Sequence, residues 1–421
     1  MKNHIFRAFS ERSFLYLWLG EIFTQIASNL FNFYLIFAVY ALTHSNTAVS
    51  GVVISYTVPA ILFGIVAGVY VDRWNKKKVL YTTNIIRAAL VFVLVFTQSN
   101  LTVVYFLSFL IAITTQFFIP AESPLIPLVV SEKYLFSANA LFGMGILGSI
   151  LIAYISTGPV FLALGKTYTL IFITLLFLIG AAFIWLIKLR KSGVQVKGEI
   201  DISERTFMKE IRHALALVAK TKAIYHSVTM LALAQVFILL IAAIAPGYAA
   251  NVLNMDIATF PIIFIAPAAV GTIFGAILIG NFMQHMNKTR MVTMGIALTG
   301  VAMLILPFCS KIAAKGFVQL INPYLPKVLT ITNIHIVILL AFFVGIANSL
   351  VFVPSNTILQ EQTSDEVRGK VYGVMNTLVG LFSFLPVLIV GSLSDWLGIT
   401  PVLIGIGVSL LLVAASRLKL T

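Results

Sequence analysis

Cysteine is nearly absent from this chain of 421 residues: Cys309 stands alone. One thiol excludes an intramolecular disulfide framework and any cysteine-built metal cluster. Charge is scarce as well, at 10% of residues, where an average soluble domain carries roughly 25%. Six histidines are scattered singly, and there is no Gly-x-Ser-x-Gly, His-Glu-x-x-His or Walker-type loop. With no nucleophile–base pair and no metal set to assemble, an enzyme is the least expected class, and neither a cofactor nor a metal is expected. Acidic residues are also few, 14 against 28 basic ones. A basic excess suits nucleic acid only where Lys and Arg gather on one exposed face. Here they sit in short breaks between apolar runs, so no nucleic-acid partner is expected.

What the chain has in abundance is hydrocarbon. Hydrophobic residues make up 60% of it, enough for twelve spans of about 20 residues each. Apolar runs occupy 13–42, 49–71, 79–97, 101–119, 138–164 and 169–187, then 223–252, 257–282, 291–309, 334–353, 371–394 and 399–415. The runs are continuous rather than alternating, which fits helices and not a porin-like barrel. The expected fold is an all-α membrane protein of twelve transmembrane helices in two six-helix bundles, with the lipid bilayer as its first partner. An even number of spans leaves both termini on one side. That side holds 23 of the 28 basic residues, while Lys166, Lys311, Lys315 and Lys327 lie opposite and Arg87 falls inside span three. The positive-inside bias then places both termini in the cytoplasm of a plasma-membrane protein. The first apolar stretch is about twice the usual h-region of a signal peptide, lacks a small-x-small site and carries Glu21, so it reads as a retained span.

The polar gap 188–222 divides six spans from six. It suggests an N-terminal bundle over 1–190, a cytoplasmic linker over 191–222 and a C-terminal bundle over 223–421. Within the linker, Asp201 to Glu204 reads as a capping-box start. Phe207, Ile211, Leu215 and Val218 then recur at helical spacing, as in an amphipathic helix on the membrane face. The two halves are related. Gly68-Val-Tyr-Val-Asp72-Arg73-Trp74-Asn75-Lys76-Lys77-Lys78 is echoed 212 residues later by Gly280-Asn-Phe-Met-Gln284-His285-Met286-Asn287-Lys288-Thr289-Arg290. Pro120 corresponds to Pro354, and Glu21 in Leu19-Gly-Glu21-Ile-Phe23 to Gln235 in Leu233-Ala-Gln235-Val-Phe237. Parallel six-helix repeats are an architecture of secondary transporters.

Polar residues inside the spans are the site candidates. A carboxylate at mid-membrane costs roughly 2.5–3.5 kcal/mol on insertion scales, which makes Glu21 a functional candidate. Such a group could take a proton from one side and release it to the other. Gln25, Asn29 and Asn32 follow at offsets of 4, 8 and 11, along one helical face that should border a wet cavity. The competing reading is that Glu21 lies within two turns of the interface and snorkels. Arg87 has two readings as well: a partner for Glu21, Asp72 or a substrate anion, or a structural ion pair between spans.

The loop Gly68, Asp72, Arg73, Lys76, Lys77 matches the Gly-x-x-x-Asp-Arg-x-x-Arg/Lys-Lys signature of the major facilitator superfamily at each defining position. Three further stretches resemble the macrolide-efflux branch of its drug:proton antiporters. They are Phe118-Ile-Pro120-Ala121 with Pro127 and Ala138-Asn139, Leu359-Gln360-Glu361 with Arg368 to Gly373, and Lys209 to Leu215. The glycine-rich antiporter signature of span five is half present, in Gly145, Gly148 and Gly158-Pro159, with Leu162-Ala163 in place of its last glycines. The resemblance implies a secondary active transporter that exports amphiphilic, drug-like molecules by alternating access in exchange for protons, acting as a monomer. It implies that Asp72 and Arg73 brace the cytoplasmic gate. It also makes spans one, four, seven and ten cavity-lining, which adds Gln116, Gln235 and Asn348 to the pathway. A lipid or lysolipid flippase, or an exporter of a specific metabolite such as a siderophore, would suit the same scaffold. A sensor that transports nothing fits less well with a kept polar stripe.

Overall fold

The computed structural model describes residues 5–189, 216, 218–283, 285–309, 322–324, 332–363 and 365–418. No β-strand occurs among them. The first long helices are α1 (Arg12–Thr43), α2 (Asn46–Arg73), α3 (Lys76–Thr97) and α4 (Leu101–Glu122). A helical stretch of 52 residues follows, Leu135–Leu186, in which two helices meet at a kink. At 1.5 Å per residue it would reach roughly 78 Å, far beyond a hydrocarbon core of about 30 Å, so it holds two crossings. Gly165 interrupts it with φ 69° and ψ −177°, a conformation open to a residue without Cβ. We take 135–164 as α5 and 166–186 as α6. The second half supplies α7 (Lys222–Gly247), α8 (Ala266–Phe282), α9 (Lys288–Ile305), α10 (Asn333–Gln362), α11 (Asp365–Leu397) and α12 (Ile399–Leu418). Twelve long helices result among the described residues, as expected. The anticipated linker helix falls mostly on 190–215, outside the described residues.

Two spans are less regular than their hydropathy suggests. α7 runs into a π-helical turn at Tyr248–Val252 just after Pro246, and α8 is preceded by another at Pro261–Ile265. Proline lacks the amide donor and crowds the preceding turn, which loosens the α ladder there.

Contacts group the chain into two units: Met1–Leu42 with Ile54–Thr206, and Thr43–Val53 with Phe207–Thr421. The opening turns of α2 therefore belong to the second unit and the rest of that helix to the first. In the first unit, α3 packs on α4 and on the stretch that holds α5 and α6. In the second, α10 packs on α7, α8 and α9, while α12 packs on α9 and α11.

Polarity is inverted relative to a water-soluble bundle. On α3, Asn84 and Arg87 are fully buried while Ile85, Ile86, Phe92, Val93 and Phe96 are 44–75% exposed. A surface of that kind is stable against lipid and not against water. Trp74, Trp185 and Trp396 stand exposed at the ends of α2, α6 and α11, the level at which an amphipathic ring meets headgroups.

Candidate functional site

Four helices of the first unit converge on a polar interior. α1 and α6 cross closely: a Cβ on Gly20 would stand 2.7 Å from Ile184 Cγ1, and one on Gly180 would stand 2.7 Å from Thr24 Oγ1. Small residues permit such backbone approach. Thr24 is thereby buried; it donates to the Gly20 carbonyl at 2.7 Å and accepts from Asn84 Nδ2 of α3 at 2.8 Å.

One turn further along α3 lies Arg87, 1% exposed. Its guanidinium carbon sits 4.3 Å from the ring centre of Phe118 on α4 and 5.2 Å from that of Phe177 on α6. Nη1 donates to Ser28 Oγ at 3.2 Å and Nε to the Thr83 carbonyl at 3.4 Å, while Nη2 is buried without a hydrogen-bond partner. Glu21, 2% exposed, is enclosed by the bundle, and its Oε1 accepts from Gln25 Nε2 at 2.7 Å. Glu21 and Glu122 both lie within electrostatic reach of Arg87.

The other candidates are distributed as follows. Gln25, Asn29 and Asn32 are half-buried along α1, and Asn29 Nδ2 donates to the Gln25 carbonyl at 2.8 Å. Gln116 on α4 is half-buried and donates to the Ala112 carbonyl at 3.5 Å. Gln235 on α7 and Asn348 on α10 are half-buried in the second unit. In the signature loop, Gly68 has open space where a Cβ would stand. Lys76 is half-buried, and Lys77 Nζ donates to the Ile187 carbonyl at 2.7 Å. Asp72 and Arg73 close α2, and their side chains are outside the described ones. Glu21 and Gln25 are thus joined by a hydrogen bond, with Arg87 within electrostatic reach of Glu21.

Glu122 is the residue the sequence reading missed. The apolar run of span four stops at 119, but α4 continues through Pro120 and ends at Glu122, which is buried. In a membrane helix a proline does not by itself end the element. The run Gln116, Pro120, Glu122 was the signal for a polar end to the span.

Two acids around one fixed cation, away from lipid, can change net charge by one with a single proton. The Major Facilitator Superfamily model matches residues 17–385. Macrolide efflux protein A of Streptococcus pyogenes is 23% identical over 370 residues, which cover 80% of this chain and 89% of that protein. An uncharacterized MFS-type transporter of Bacillus subtilis, YkuC, is 29% identical over 153 residues, 33% of this chain, and the match spans 35% of YkuC. Among solved structures, the nucleoside transporter NupG shares the fold, with a TM-score of 0.73 at 11% identity, covering 97% of this chain and 98% of that one. The chain belongs to the Major Facilitator Superfamily and is a multi-pass membrane transporter, not an enzyme.

Proposed function

We propose that this transporter exports amphiphilic, drug-like molecules by alternating access in exchange for protons, with Glu21 carrying the proton. The observation that carries this reading is Glu21 enclosed in the first unit within electrostatic reach of Arg87. A buried carboxyl and a buried guanidinium are costly as purely structural features, since apolar side chains would fill the same space without desolvating charge. Proton exchange gives it a use. One charge crossing about 100 mV is worth roughly 2.3 kcal/mol, or a gradient of roughly 50-fold.

The direction and cargo class take support from the macrolide efflux protein of Streptococcus pyogenes, to which most of the chain aligns. The half-buried amides Gln116, Gln235 and Asn348 suit the uncharged polar groups of such a cargo. The distribution of basic residues supports cytoplasmic termini in the plasma membrane, with the Gly68, Asp72, Arg73, Lys76, Lys77 loop bracing the cytoplasmic gate of a monomer. In this reading 1–190 and 223–421 are the two bundles and 191–222 the cytoplasmic linker.

The test is accumulation of a labelled macrolide in cells expressing the wild type or Glu21→Gln, with labelled lysolipid as the competing cargo. Wild type should lower macrolide accumulation several-fold and the variant should not. Equal macrolide accumulation with and without the wild-type protein would contradict the cargo class. Undiminished efflux by the variant would remove Glu21 from the mechanism.

A further inference from the structure

Glu122 has no part in the mechanism as stated so far, yet its placement is hard to explain otherwise. It closes α4 two residues beyond Pro120, is 6% exposed, and among the described residues its Oε1 is buried without a hydrogen-bond partner. A carboxylate ion removed from water needs both a counter-charge and hydrogen bonds. Among the described residues, the charged groups that reach it are Glu21 from α1 and Arg87 from α3. α3 and the turn Ser123–Leu125 pack on α4, and that turn carries no ionisable side chain. From α6 the neighbour of the guanidinium is the ring of Phe177.

One cation balances one carboxylate. Arg87 is held in place by Ser28, the Thr83 carbonyl and two aromatic faces. Glu21 has an amide donor in Gln25, which favours its ion; Glu122 Oε1 has none. We propose that Glu21 and Glu122 form a single proton-binding pair around Arg87, holding one proton between them, which rests on Glu122. Its loss leaves Glu122 as the carboxylate and the cluster with a net charge of −1, and its return restores neutrality. This rests on the proton-coupled reading and adds a second acid to it, but the bound proton can be read without transport.

The full-length protein in lipid nanodiscs, exchanged between light and heavy water and followed by infrared difference spectroscopy, should show the carbonyl stretch of one buried neutral carboxyl. Glu122→Gln should abolish that band. Glu21→Gln should abolish it too, because Arg87 then balances Glu122 alone, and Arg87→Gln should double it. A full band in either glutamate variant, or none in the wild type, overturns the shared proton. If one glutamate variant does not fold, as judged by its elution profile, the other decides. An intact shared band in a wild type that moves no protons with macrolide would sink the coupling reading and leave the pair standing.

Discussion

Arg87 is fixed by packing as much as by charge. Its guanidinium lies over Phe118 and beside Phe177 while two of its nitrogens donate to Ser28 and Thr83. A planar guanidinium can do both at once, whereas an ammonium on a flexible stem cannot. Arg87→Lys keeps the charge but forfeits the guanidinium stacking, worth about 2 kcal/mol when desolvated. We expect a lower melting temperature in detergent and reduced transport. Unchanged values in both would mean that charge alone matters at this position. Glu21 was readable from the sequence because an acid in an apolar run is conspicuous, and Gln25 followed from its offset of 4. Glu122 was not, since Pro120 resembles a helix end. Thr24 and Asn84 were hidden for another reason: single small polar residues acquire meaning only once α1, α3 and α6 are known to touch.

At the scale of elements, the repeated loop has a physical explanation. Asn75 caps α3 by accepting from the Lys78 amide at 3.1 Å, and Asn287 caps α9 by accepting from the Thr289 amide at 2.8 Å. The asparagine survives in both halves because each following helix needs its first amides satisfied. In the second half the lysine after the asparagine, Lys288, pairs with Glu361 of α10 at 2.6 Å. A different cap closes the other end of α2. Asp395, near the end of α11, accepts from the Asn46 and Thr47 amides, Asn46 Nδ2 and the hydroxyls of Ser45 and Thr47, all at 2.6–2.9 Å within the second unit. Loss of a helix N-cap costs about 0.5–2 kcal/mol. Asp395→Ala should therefore lower the melting temperature by a few degrees, and an unchanged value would mean that solvent replaces the cap. Gly180→Val is expected to do more. Its side chain would press on Thr24 Oγ1 and Asn84 Nδ2, parting α1 from α6, and overpacking of this kind costs about 1–3 kcal/mol. A well-folded variant with full transport would contradict the close α1–α6 crossing. The spans themselves were legible in hydropathy. The break between α5 and α6 was legible too, since the apolar runs stop at 164 and resume at 169 around Gly165, but the π-helical turns were not, because they depend on local backbone conformation around the prolines.

Across the whole molecule, the ionisable cluster belongs to one half of the repeat. The shifts of 212 and 234 residues place Thr299 and Asn356 where Arg87 and Glu122 stand in the first half, and Gln235 answers Glu21. The second unit thus carries neutral polar groups at each matching position, so the proposed proton exchange would fall to the first. Orientation has its own check. Cys309 is buried, so the chain offers a quiet background for introduced thiols. Lys166→Cys should react with a membrane-impermeant thiol reagent added outside intact cells, and Lys220→Cys should react only after the cells are opened. The reverse pattern would overturn the assigned sidedness. The account as a whole stands on the acids around Arg87 moving protons with cargo. The measurement closest to that claim is proton flux out of proteoliposomes when a macrolide is added outside, since exchange moves the two in opposite directions. Wild type should move protons, and Glu21→Gln should move none. A variant flux equal to that of the wild type would contradict the account.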